Sequence, residues 1–155
     1  MRQQASVEID RPIDEVFEYT NNRVAEWSLT VVEDQALEET PDGVGTKFRC
    51  VTEDHGQRME FEGEVTRFDP PRASAAHMVG RQFDIDAEYS FEDLGGRTRV
   101  TMVSTVAPKG ILRVFFFLFG WLMNKSGCKA LENELENLKR LLEEGAAQSP
   151  SSPDG

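Results

Sequence analysis

At 155 residues the chain is the size of one domain, large enough to bury roughly two thirds of its unfolded surface. Hydrophobic residues at 39% and charged residues at 29% give an ordinary globular balance, which argues against wholesale disorder. A formal charge of −11 argues against a nucleic-acid surface, because phosphate binding depends on Lys and Arg, so no nucleic-acid partner is expected.

The N-terminal Met1-Arg2-Gln3-Gln4-Ala5 leads straight into strand-like sequence, so no secretory signal is expected. Ala5 to Asp10 alternates apolar Val7 and Ile9 with polar Glu8 and Asp10, as a strand with one buried face does. Pro12 suits the first turn of a helix, and Asp14 and Glu15 suit the positive end of its dipole. Val16, Phe17 and Tyr19 supply that short helix with apolar contacts. After Asn21-Asn22 a second helical turn reaches Trp27.

Six strands are expected between Leu29 and Val106. They run over Leu29–Glu38, Thr46–Glu53, Met59–Phe68, Arg72–Val79, Phe83–Phe91 and Thr98–Val106. The links, such as Asp54-His55-Gly56 and Gly95-Gly96, are too short for parallel crossovers, so neighbouring strands pair antiparallel. A helical stretch then runs to about Glu144, with Gly120 and Gly127 as points where it could bend. Leu131, Leu135, Leu138 and Leu142 form a stripe in its second half, with Glu132, Glu136, Lys139, Arg140 and Glu143 outside it. Residues 1–144 read as the folded domain, and 145–155, with Ser149-Pro150-Ser151-Ser152-Pro153, as a disordered tail.

The longest apolar stretch, Ile111 to Met123, is interrupted by Arg113 and Gly120 and falls short of the roughly twenty residues a membrane span requires. No transmembrane segment is expected. Cys50 and Cys128 are far apart and lack metal-ligand spacing, so two free thiols in a reducing cytoplasm are expected, with no metal and no cofactor. Gly43-Val44-Gly45 opens a strand rather than a helix and lacks the context of a phosphate loop.

The order is strand, two short helices, six strands and one long helix, an α+β arrangement. A curved antiparallel sheet of about seven strands must cover its apolar face, and only the last helix is long enough to do so. A twisted sheet cannot lie flat along a straight helix, so an apolar hollow between them is expected.

Ile9-Asp10-Arg11-Pro12 before Val16-Phe17, Trp27, Gly43-Val44-Gly45-Thr46, Val65 with Pro70-Pro71, and Gly96-Arg97-Thr98-Arg99-Val100-Thr101 occur in a telling order, closed by Leu135-Glu136-Asn137-Leu138-Lys139. From about Ala5 to Glu144 the chain resembles the START-like, or SRPBCC, superfamily that includes the birch-pollen allergen. Within it the chain resembles the bacterial polyketide cyclase/dehydratase-like branch. The resemblance implies a helix-grip fold with an internal cavity for lipids, polyketides, quinones or other apolar ligands. It does not imply one activity, since members include binding proteins, cyclases and hydratases.

The leading expectation is a hydrophobic small molecule bound for transport, storage or sensing, in a pocket lined by Trp27, Phe48, Met59, Phe61, Phe83, Ile85, Tyr89, Met102, Phe115, Phe119 and Met123. The alternative is a cyclase or dehydratase, for which Tyr89, His77 and Arg81 are the candidate catalytic groups. Tyr19, Arg67, Ser104 and Asn124 are further polar groups within reach of a cavity. A third reading is an interaction module in which Phe116, Phe117 and Trp121 meet a second subunit or a membrane surface. His55 reads as a solvated turn residue. The acidic rows Glu60, Glu62, Glu64 and Asp84, Asp86, Glu88 read as the convex, solvated face of the sheet.

Overall fold

The computed structural model describes residues 2–54 and 56–145, and within them not the side chains of 121–126. His55, the side chains of Trp121, Met123 and Asn124, and the tail beyond Gly145 therefore lie outside the described residues. Strand β1 (Arg2–Ile9) buries alternate side chains, Gln3, Ala5, Val7 and Ile9. Pro12 then holds an extended backbone at the N-cap of α1 (Ile13–Asn22), with Asp14 and Glu15 in its first turn. A single helical turn, α2 (Val24–Trp27), follows.

The remaining strands are β2 (Val31–Glu38), β3 (Lys47–Asp54), β4 (Gln57–Asp69), β5 (Ala73–Val79), β6 (Phe83–Asp93) and β7 (Thr98–Pro108). All seven form one antiparallel sheet in the order β1-β7-β6-β5-β4-β3-β2. The two short helices thus carry the chain from one edge strand to the other. Pairing slips between Val65 and Arg67 and at two places along β2, irregularities of the kind that bend strands and curve a sheet.

Helix α3 (Leu112–Glu143) is continuous over 32 residues, about 48 Å at 1.5 Å per residue. Its second half buries Leu131, Leu135, Leu138 and Leu142 against β1, β7 and α1, where Val7, Ile9, Val16, Phe17 and Val100 complete the main core. Gly127 sits where the helix meets β1: a Cβ there would collide with the side-chain amide of Gln3. Its missing side chain thus serves close approach. Polar ties fasten the same half. Arg11 donates to the carbonyl oxygens of Leu142 (2.9 Å) and Glu143 (3.1 Å), satisfying acceptors that the helix end leaves open. Lys139 donates to the Glu8 carbonyl at 2.7 Å, and Asn137 to that of Trp27 at 2.6 Å.

The first half of α3 differs. Ile111 is 85% and Phe117 87% exposed, and Val114, Phe115, Leu118 and Phe119 are exposed as well. No helix among the described residues is long and apolar enough to cross a membrane. The convex face carries cross-strand ion pairs, including Lys47–Glu64 at 2.9 Å, Arg49–Glu60 at 2.7 Å and Arg99–Glu8 at 3.0 Å.

Candidate functional site

Away from the main core, the concave face of β2 to β7 does not close onto α3. A cavity of about 670 Å³ lies there, bounded also by α2 and by Leu131 and Glu134 of α3. Phe48 and Cys50 of β3, Phe61 and Val65 of β4, Met78 of β5, and Ile85 and Tyr89 of β6 supply much of the wall. The cavity reaches the surface beside the β2–β3 turn, where Pro41 and Asp42 are exposed.

Local pairing shapes this wall. Phe48 lies opposite Gly63 on β4, and a Cβ on Gly63 would collide with the Phe48 ring. The missing side chain lets the ring lie over the strand. Trp27 is anchored by its indole N–H, which donates to the Thr20 carbonyl at 3.1 Å, and its ring meets Tyr89 edge-on at 6.3 Å. Tyr89 also stacks near Phe91, with centroids 6.4 Å apart.

The charged part of the wall is acidic. Ser28 Oγ donates to the Glu134 carboxylate at 3.0 Å, and Thr30 Oγ1 does so at 3.1 Å. Burial raises the Glu134 pKa, while these hydroxyls and the backbone of Leu29 and Thr30 pull it down. Burial likewise raises the Asp34 pKa. The Cys50 thiol is pushed up to about 12, first by burial and then by the charges of Asp34 and Glu134. Burial pushes the Tyr89 hydroxyl well above the ordinary tyrosine range, and Glu134, Cys50 and Asp34 add to the effect. These four groups share one electrostatic neighbourhood. Water can enter the cavity, so Asp34 and Tyr89 keep accessible surface although protein atoms surround them. Among the described residues no hydrogen bond reaches the Tyr89 hydroxyl, and no Lys, Arg or His lines the cavity.

Of the residues expected to line a pocket, Trp27, Phe48, Phe61, Ile85, Tyr89 and Met102 do so, and Ser104 joins them. Met59, Phe83, Phe115 and Phe119 are not part of this wall. Phe83 packs on Phe116 at 5.7 Å, while the half-exposed rings of Phe115 and Phe119 meet at 5.0 Å. Strand phase names the concave face but not how far along it the helix rises away. His77 stands on the outer face, its Nδ1 2.7 Å from Asp86 Oδ1, and Arg81 is exposed in the β5–β6 turn. Glu134, Asp34 and Cys50 went unrecognised as cavity groups in the sequence. Glu134 carried a signal: it lies three residues after Leu131 and four before Leu138, on the apolar stripe itself.

A curved antiparallel sheet gripping one end of a long helix, with a hollow beyond the contact, defines the helix-grip, START-like class. The chain belongs to the family described as polyketide cyclase/dehydrase and lipid transport, whose model matches residues 2–143. No curated protein matches the sequence significantly. Among solved structures, the chain is similar to the Thermus thermophilus protein TTHA0849, at 21% identity and a TM-score of 0.77, over 96% of this chain and all of that one. A START superfamily protein from Mycobacterium smegmatis matches at 18% identity and TM-score 0.71, over 95% of this chain and 97% of its own. The Zhui aromatase/cyclase from Streptomyces sp. R1128 matches at 15% and 0.68, over 94% of this chain and 98% of its own. At these identities the likeness concerns the fold.

Proposed function

We propose that the domain binds a hydrophobic small molecule, such as a lipid, polyketide or quinone, in the cavity between sheet and C-terminal helix, for transport, storage or sensing. The observation that carries this reading is the cavity itself. Its 670 Å³ falls within the range of small-molecule sites, roughly 300–1,000 Å³. Trp27, Phe48, Phe61, Ile85, Tyr89 and Met102 make the ligand contacts, and burial of apolar area drives affinity at roughly 25 cal/mol per Å² before ordering costs. Met59, Phe83, Phe115 and Phe119 would join only if the helix closed further over the sheet. The test is Ala76→Phe, which adds a ring to the cavity wall on β5. The variant is expected to keep its melting temperature and lose uptake of a hydrophobic dye. Full uptake by a folded variant would remove the cavity from the account.

A second reading, cyclase or dehydratase chemistry on an aromatic or polyketide substrate, draws support from Tyr89, Glu134 and Asp34 standing together in the cavity with displaced pKa values. It assigns no part to His77 or Arg81. Mass spectrometry of a poly-β-keto thioester incubated with the protein tests it: loss of water that Glu134→Gln abolishes supports it, and unchanged substrate removes it.

The exposed start of α3 supports a further contact, with a second copy of the chain through Phe116, Phe117 and Trp121. The net charge of −11 disfavours an anionic bilayer as the partner. Sedimentation of the parent and of Phe117→Asp separates the outcomes. A concentration-dependent dimer lost in the variant supports the contact, and a monomer at all concentrations contradicts it.

A further inference from the structure

We propose that the cavity selects its ligand by charge: it takes a hydrophobic molecule bearing a neutral hydrogen-bond donor or a cation, received by Glu134 and Asp34, and it rejects hydrophobic anions. The inference rests on the ligand-binding reading and narrows it to a chemical class.

Three observations point the same way. First, the charged residues of the wall are all acids. Half-buried Glu134 and the more exposed Asp34 line the cavity, Glu39 and Asp42 flank the β2–β3 turn, and no basic residue accompanies them among the described residues. No ion pair of the described residues reaches Asp34 or Glu134 either. An incoming carboxylate or phosphate would meet negative charge and no counter-ion.

Second, several of the donors that could welcome an anion are engaged, the Tyr89 and Ser104 hydroxyls excepted. Ser28 and Thr30 give their hydroxyl protons to Glu134. Ser74 donates to Asn21 Oδ1 at 2.7 Å, and Asn21 Nδ2 donates to the Phe17 carbonyl at 2.8 Å. The acceptors, by contrast, keep spare capacity. A carboxylate has about four lone-pair sites, and Asp34 shows no side-chain hydrogen bond among the described residues.

Third, the half-buried Tyr89 lines the same space, and among the described residues its hydroxyl has no protein partner. The hydroxyl is open to the cavity, so a ligand or water there can bond to it. It can serve the oxygen of a ligand alcohol or carbonyl while a carboxylate of the wall takes the ligand's proton.

The protein's own groups already sense this environment. Burial raises the pKa values of Glu134 and Asp34, so the cavity disfavours negative charge on groups covalently fixed within it. A hydrophobic acid entering the same space meets the same penalty, with two carboxyl groups added.

The test uses three ligands of one chain length, decanol, decylammonium and decanoate, titrated calorimetrically into the full chain at physiological ionic strength, where surface charge is screened. Decanol and decylammonium are expected to bind, with decanoate weaker by about tenfold or more, the factor that corresponds to one pKa unit. The double variant Glu134→Gln/Asp34→Asn should shrink that gap to within about threefold, because the amides keep the hydrogen-bond acceptors and remove the charge. If the double variant does not fold, Asp34→Asn alone should narrow the gap. Decanoate binding as tightly as decanol, or a gap that survives in a folded variant, would overturn charge selection while leaving ligand binding intact. Failure of all three ligands to bind would overturn both.

Discussion

Glu134 shows how one residue can tune both stability and selectivity. It occupies an apolar stripe position yet turns its carboxylate towards Ser28 and Thr30 at the cavity wall. Because folding raises its pKa, the folded state holds the proton more tightly than the unfolded chain does. Charge on Glu134 therefore costs stability at neutral pH, and the cost fades as pH falls through the raised pKa. Glu134→Gln is expected to raise the melting temperature at pH 7 by a few degrees, with the gain shrinking as the pH is lowered and the parent's Glu134 takes up its proton. A variant less stable than the parent at pH 7 would mean that the hydrogen bonds outweigh the burial cost. Gly63 tests the opposite wall. Gly63→Val would drive the Phe48 ring out of its place over β4, costing about 1–3 kcal/mol in chemical denaturation and narrowing the cavity. At this scale the sequence was only half legible. Strand phase placed Phe48, Phe61, Ile85 and Tyr89 on the concave face. It could not reveal Asp34, because β2 shifts register between Val31 and Glu33 and breaks the alternation that would have shown which way Asp34 points.

At the scale of elements, α3 is two helices in one. Its second half is bound to the domain by four buried leucines and by Arg11, Asn137 and Lys139. Its first half projects apolar side chains into solvent. Leu135→Ala should lower stability by about 2–5 kcal/mol, because the site is fully buried between α1, β1 and β7. Phe117→Ser should change it by no more than about 0.5 kcal/mol. Equal effects in denaturant titration would mean that the two halves pack alike. The elements themselves were read from periodicity and turn residues almost throughout: the alternation of Phe83 to Phe91 became β6, and Gly95-Gly96 became the turn to β7. What periodicity could not supply was the distance between helix and sheet. A run such as Phe115 to Phe119 is equally apolar whether it fills a hollow or stands clear of it.

For the molecule as a whole, the main structural fact is that most of the core lies to one side of the cavity, the two sharing Trp27 and Leu131. The core sits where α1 and the end of α3 cross β1 and β7, so the rest of the sheet can stay open without unfolding the domain. That division explains why a filled cavity, as in Ala76→Phe, is expected to abolish uptake and spare stability. The family and fold are plain from the sequence and the comparisons together. The chemistry of the ligand is instead written in a few wall residues brought together from distant parts of the chain. The most direct test of the central claim is native mass spectrometry of gently purified protein, followed by solvent extraction of whatever is released. The account predicts a stoichiometric hydrophobic passenger bearing a hydroxyl, carbonyl or amine and no acid group. Protein at its bare mass that also fails to take up decanol would contradict it.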